Sequence, residues 1–127
     1  MEKERLTGKP PNTRRRVGTA GEDLAVRYLR KQGYEILQTN FRFEKAEIDV
    51  VAREGDALVF VEVKSRRSKS FGEPEEAVTP RKQQQLRKAA EGYLFENGIE
   101  DVECRFDVLA IYFHEGKASI DHIQHAF

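Results

Sequence analysis

The chain has 127 residues, a formal net charge of zero, 35% charged and 39% hydrophobic residues, and one cysteine, Cys104. That length suits a single domain with one ordinary core, no apolar run approaches the ~18 residues of a membrane span, and a lone cysteine excludes an intrachain disulfide. The balanced charge argues against a protein that coats nucleic acid by bulk attraction, and an N-terminus without the apolar core of a signal peptide favours a cytoplasmic setting with no membrane partner.

The charge is segregated all the same. Arg14-Arg15-Arg16, the stretch from Lys64 to Lys69, Arg81-Lys82 and Arg87-Lys88 are basic, while acid gathers between Glu96 and Glu103. Such patches suit an enzyme groove for an anionic polymer, and they equally suit solvated helix faces and tails.

Residues 1–17 hold Pro10-Pro11, many charges and little apolar matter, the composition of a flexible tail ahead of a single domain at 18–127. Thr19-Ala-Gly-Glu22 matches a capping box and predicts a helix from Thr19, with Leu24, Ala25, Tyr28 and Leu29 as its apolar stripe and Gly33 as its stop. Glu22 reads either as the capping carboxylate or as an acid aimed into a cleft. Tyr34–Leu37 and Asn40–Phe43 are aromatic and β-branched enough to be strand.

Ala46–Lys64, AEIDVVAREGDALVFVEVK, has two Val- and Ile-rich runs around Gly55-Asp56, the pattern of a β-hairpin. The register that turn implies sets Asp49 across from Glu62 and Glu47 across from Lys64, all four on one face. Directly opposed residues have Cβ atoms roughly 4.5–5.5 Å apart. Two carboxylates at that distance repel each other, so a positive partner is expected between them. Lys64 is one candidate, and a divalent cation with oxygen ligands is the better one. An ion shared by two acids beside a lysine suits phosphodiester chemistry. A solvated salt-bridge ladder is the competing reading, although Val51, Leu58 and Phe60 make one end of that face apolar.

Ser65–Pro74 is polar, basic and glycine-containing, hence a loop. Its Arg66, Arg67 and Lys69 stand ready for phosphates or simply keep it solvated. Thr79-Pro80 opens a second helix whose buried face is Leu86, Ala89, Ala90, Tyr93 and Leu94. Lys82 sits at its N-terminal end, where a cation opposes the helix dipole and hints at an anionic partner. Val102–Phe113 and Ala118–Ile123 complete the strands, and the zinc-like spacing of His122 and His125 lacks further ligands nearby in sequence.

The resulting order of helix, strand, hairpin, helix and two strands predicts an α/β sandwich around a mixed sheet. An acid, an intervening hairpin and then Glu-x-Lys (Asp49, Glu62, Lys64) resemble the PD-(D/E)xK nuclease superfamily. Gly21-Glu22 with Ala25 and Tyr28-Leu29, Asn40-Phe41-Arg42, Glu47-Ile48-Asp49, Val59 to Lys64, Phe71-Gly72, Glu76-Ala77-Val78 with Lys82, and Arg105 to Val108 resemble the YraN-like bacterial family, thought related to Holliday junction resolvases. The resemblance implies a restriction-endonuclease-like three-layer core and a Mg²⁺-dependent endonuclease, with Mn²⁺ as a substitute. Its substrate would be DNA, branched or single-strand-containing, and a homodimer would present paired sites. It further implies that Asp49, Glu62 and the carbonyl of Val63 bind the metal, and that Lys64 orients or deprotonates the attacking water. Glu22 would be a further acid at the metal's water or at a second ion, and Lys82 a phosphate contact. Ala46 stands where the family usually has glycine. The alternative is a non-catalytic DNA-binding or scaffolding protein that keeps the nuclease fold.

Overall fold

The structure, a computed structural model, describes residues 16–66 and 78–127. Most of the expected tail, and Arg67 and Lys69 of the basic loop, lie outside the described residues.

Helix α1 spans Arg16–Lys31, strand β1 Glu35–Phe43, β2 Ala46–Glu54 and β3 Ala57–Arg66. Helix α2 spans Pro80–Glu96, followed by β4 at Glu103–His114 and β5 at Lys117–Ile123. The strands make one sheet in the order β1-β2-β3-β4-β5. Neighbours are antiparallel except β3 and β4, which run parallel. Two parallel strands cannot be joined by a tight turn. The segment containing α2 makes the crossover.

Each face of the sheet carries one helix. Ala25 and Leu29 of α1 pack with Tyr34, Val50, Ala52, Val59, Val61, Leu109 and Ile111. Leu86, Ala89, Ala90 and Tyr93 of α2 pack on Phe41, Val51, Leu58, Phe60, Phe106 and Val108. The central strands are therefore apolar on both sides, which is why they read as continuous hydrophobic runs. This is the expected α/β architecture, a mixed sheet between helices.

Local chemistry explains most element ends. Gly33 adopts φ 94 and closes α1 with a Tyr34 N–H to Leu29 carbonyl bond of 2.9 Å, a glycine-terminated helix end. Thr79 caps α2 by accepting the Lys82 N–H at 3.1 Å, and Pro80 occupies the first turn. Gly55 supplies the positive φ, 59, of the β2–β3 turn.

The capping box does not open α1. The helix begins at Arg16, one turn before Thr19, so Thr19–Glu22 lies within it. Gly21 serves packing instead. A Cβ there would stand 2.4 Å from Ser65 Oγ, so this part of α1 lies directly on β3.

Candidate active site at the β2–β3 fork

The hairpin register is the expected one from Val50↔Val61 to Glu54↔Ala57. It stops there. The anticipated cross-strand partners, Asp49 with Glu62 and Glu47 with Lys64, fall beyond the last paired residues of β2 and β3. On the other side of β2 the register passes from Thr39↔Val50 to Phe41↔Ile48, skipping Asn40 and Asp49. Asn40 is left-handed at φ 54. The register is the same on either side of this gap, and the shift in the ladder lies further along, between Ile36 and Gln38.

The consequence for β2 is visible in its packing. Val50 and Ala52 belong to the α1 side and Val51 to the α2 side. By strict alternation Ile48 and Ala46 should join Val50, yet both lie in the α2-side core. The strand exchanges its faces at Asp49.

Freed from a paired position, the Asp49 carboxylate accepts the Val63 N–H through Oδ2 at 2.8 Å. A side chain thus takes a backbone donor of the neighbouring strand, and the two strands part around it. Burial above all, then the Glu62 carboxylate, pushes the Asp49 acid up to about 7, with Glu22 and Glu47 adding repulsion and the Val63 bond opposing it.

Glu62 is 6% exposed. Its Oε2 is held by Lys64 Nζ at 3.2 Å and by Lys82 Nζ at 3.4 Å. Its Oε1 is buried and has no hydrogen-bond partner among the described residues. A buried oxygen of that kind is uncommon because leaving it bare costs about 1–3 kcal/mol or more. Lys82 reaches it from the first turn of α2, more than fifteen residues beyond β3 in sequence.

Glu22 and Glu47 take other positions. Glu22 Oε2 accepts from Asn40 Nδ2 at 3.1 Å, so its carboxylate lies beside the strand interruption and does not cap α1. Glu47 pairs across to β1, with Arg42 at 3.9 Å, in place of Lys64. Arg66 ends β3 opposite Tyr112. Ala46 is buried in the α2-side core and is not among the positive-φ residues, so a side chain is accommodated where the resembling family usually has glycine.

Whether these groups suit a divalent cation can be judged from the donors. Among the described residues no three His, Cys, Asp or Glu side chains are grouped to hold a metal by themselves. Mg²⁺ rarely demands that, since it is commonly held by one or two carboxylates with waters and substrate phosphates completing the shell. Asp49, Glu62 with its bare Oε1, and the Val63 carbonyl fit that pattern.

A second polar cluster escaped the sequence reading. Asp107, 0% exposed, accepts from Arg105 Nε at 2.9 Å, from Arg105 Nη2 at 3.0 Å and from the His125 backbone N–H at 3.2 Å. His122 Nε2 lies 2.8 Å from Asp107 Oδ2, and Nδ1 lies 3.1 Å from Tyr28 Oη. Both ring nitrogens are engaged, so the spacing of His122 and His125 is not a zinc pair. Although burial works against ionisation, hydrogen bonds from His122 and Arg105 hold the Asp107 acid below its ordinary value. The signal in sequence was the charge of Arg105 and Asp107 inside a strand otherwise made for burial.

Taken together, the chain is an α/β domain in which a fork between central strands gathers one buried acid, Glu62, one partly buried acid, Asp49, and two lysines. It belongs to the family described as uncharacterised protein family UPF0102, whose profile matches residues 21–111. It is 51% identical over 113 residues to a UPF0102 protein of Syntrophomonas wolfei, covering 89% of this chain and 98% of that one. Identity to the UPF0102 protein of Christiangramia forsetii is 48% over 111 residues, 87% and 92% of the two chains. For that of Pelobacter propionicus it is 49% over 124 residues, 95% and 87%. Among the described residues, no helix is long and apolar enough to cross a membrane.

Proposed function

We propose that the fork is the active site of a Mg²⁺-dependent endonuclease acting on branched or single-strand-containing DNA. The observation that carries this reading is Glu62 Oε1, a buried carboxylate oxygen with no hydrogen-bond partner among the described residues, beside a second acid whose ionisation the fold penalises. Both features are relieved by a cation. Asp49, Glu62 and the Val63 carbonyl would hold it, and it would supply charge neutralisation at the scissile phosphate and a nucleophilic water near neutral pH.

The chain's own residues set the rest. The Val63 N–H fixes the Asp49 carboxylate in orientation. Lys64, on the same strand two residues from Glu62, would turn from that carboxylate to orient the attacking water and meet the charge developing on the phosphate. Lys82 adds positive charge from the helix end and would meet a neighbouring phosphate. Glu22, beside Asn40, would be a further acid at the metal's water or at a second ion. Recognition would rest on backbone phosphates and shape, with a second copy supplying the other cut of a four-way junction.

One observation favours a non-catalytic DNA-binding role. Lys64 and Lys82 both pair with Glu62 Oε2, so two cations that could contact phosphate flank one acid. Incubation with labelled single-stranded, duplex, flap and four-way-junction DNA separates the two readings, with Mg²⁺ and Mn²⁺ tried in turn. Cleavage that falls about 10²-fold or more in both Glu62→Gln and Lys64→Ala supports hydrolysis at the fork. Salt-sensitive binding with no cut on any substrate or ion supports the binding role.

A further inference from the structure

Asn40 lies in the interior of β1, yet its φ is 54. Among the described residues it is the one positive-φ position inside a strand; the others fall in turns and bends. Left-handed backbone costs free energy at a residue with a Cβ, and asparagine tolerates it better than most. Where such a conformation persists outside a turn, it commonly serves the geometry of a functional site. The flanking pairs Thr39↔Val50 and Phe41↔Ile48 set Asn40 directly opposite Asp49. The same conformation therefore breaks the ladder at the residue whose carboxylate takes the Val63 N–H.

The Asn40 side chain reaches a different element. Its Nδ2 donates to Glu22 Oε2 at 3.1 Å, across eighteen residues of sequence. The neighbouring residue on α1 is fixed as well, since a Cβ on Gly21 would stand 2.4 Å from Ser65 Oγ on β3. Helix α1 thus touches β1 through Glu22 and β3 through Gly21, and β2 lies between those strands. That middle strand carries Asp49, and the Glu22 charge is one of those opposing its ionisation. Two acids that repel each other drift apart unless something holds them. A lysine at position 40 would hold Glu22 and also compete with any cation. A neutral amide orients the carboxylate and leaves its charge in place, as hydrogen-bonding partners behind metal sites do.

We propose that Asn40 is a positioning residue of the fork, its left-handed backbone and side-chain amide holding the Glu22 carboxylate beside Asp49 to meet the water shell of a divalent cation. The inference rests on the reading of the fork as a cation site. Asn40 itself touches neither ion nor substrate and acts through Glu22. Glu22 acts on the ion's waters, because among the described residues no three acids are grouped to coordinate one ion directly.

The deciding experiment is Mn²⁺ binding to the full chain without DNA, measured by isothermal titration calorimetry in a double-mutant cycle. Asn40→Gly permits the left-handed backbone without steric cost and removes the amide; Glu22→Gln removes the charge that the amide positions. Each is expected to weaken Mn²⁺ about tenfold, the low end for partners that orient a metal site, and the double variant no further. A role confined to the integrity of β1 would instead add its full loss in the Glu22→Gln background. Glu22→Asp withdraws the carboxylate from the amide without touching β1, so it addresses the same contact if glycine loosens the strand; its expected loss is also about tenfold, with folding of every variant checked by circular dichroism. Parental affinity in Asn40→Gly or Glu22→Asp, or losses that add in the double variant, overturn the role of Asn40 and leave the cation site standing. Absence of Mn²⁺ binding by the parent protein overturns the cation site itself, and this inference with it.

Discussion

Replacing Asp49 with asparagine separates the carboxylate's charge from its shape. The asparagine carbonyl can still accept the Val63 N–H that Asp49 Oδ2 now accepts at 2.8 Å. The charge is another matter, because the fold moves this acid from its ordinary 3.8 up to about 7, chiefly by burial and then by Glu62. One pKa unit is worth about 1.4 kcal/mol, so an ionised Asp49 costs the metal-free fold about 4 kcal/mol. The folded state holds the proton more tightly than the unfolded chain does. Stability from this group is therefore complete below pH 4 and is lost as pH rises to about 7.

Asp49→Asn has no such loss. In EDTA at pH 8 it should be more stable than the parent protein by about 3–4 kcal/mol, which at about 4 °C per kcal/mol is a Tm rise of about 12–16 °C. At pH 4 the two should nearly coincide. Adding Mg²⁺ at pH 8 should then reverse the comparison in part. An ion at a hundred times its Kd stabilises by about 2.7 kcal/mol, and only the parent protein should respond. Thermal unfolding followed by circular dichroism at pH 4, 6 and 8, with EDTA or Mg²⁺, gives all of these values. A difference between the two proteins that stays constant with pH would refute the claim that burial and Glu62 penalise the Asp49 charge.

The other expectations are simpler to state. Glu62→Gln and Lys64→Ala should each cut metal-dependent cleavage about 10²-fold or more while leaving the far-UV circular dichroism unchanged. Asp107→Asn should destabilise the fold by about 3–5 kcal/mol in denaturant titration, because it leaves Arg105 and His122 facing a neutral amide in a buried site. In the parent protein the Asp107 contribution is present above its ordinary value and lost as pH falls through its lowered one. Gly92→Ala would place a Cβ 2.4 Å from the Phe43 ring; a net loss of about 1–2 kcal/mol is expected despite the better helix former, and Phe43→Leu in the same chain should restore much of it.

Local chemistry carried part of this protein's design into plain view. Gly55 at positive φ sets the hairpin turn, and the turn sets the register through Val50↔Val61. Thr79 and Pro80 open α2 where a cap and a first-turn proline should. These features depend on residues a few positions apart, so a linear pattern contains them. The capping box at Thr19 shows the limit of that rule: the same local signature sits inside α1, where the close approach of Gly21 to Ser65 explains the glycine better than any helix end does.

The remaining features arise where separate elements meet. The sequence named Asp49, Glu62 and Lys64, but their arrangement as a direct cross-strand set assumed an unbroken ladder. Asn40 and Asp49 both drop out of pairing, β2 exchanges its faces, and Asp49 takes a backbone donor from β3 instead. Lys82 meets Glu62 because a parallel β3–β4 pair requires a crossover, and that crossover brings the start of α2 to the fork. Arg105 and Asp107 lie two residues apart in a strand, with nothing local to show that they are buried. With helices or strands covering both faces of β4, Asp107 is fully buried and must be saturated by Arg105, His122 and a backbone amide. Such groupings join residues up to 94 positions apart, as for Tyr28 and His122, and their energies depend on burial, which is a property of the whole fold.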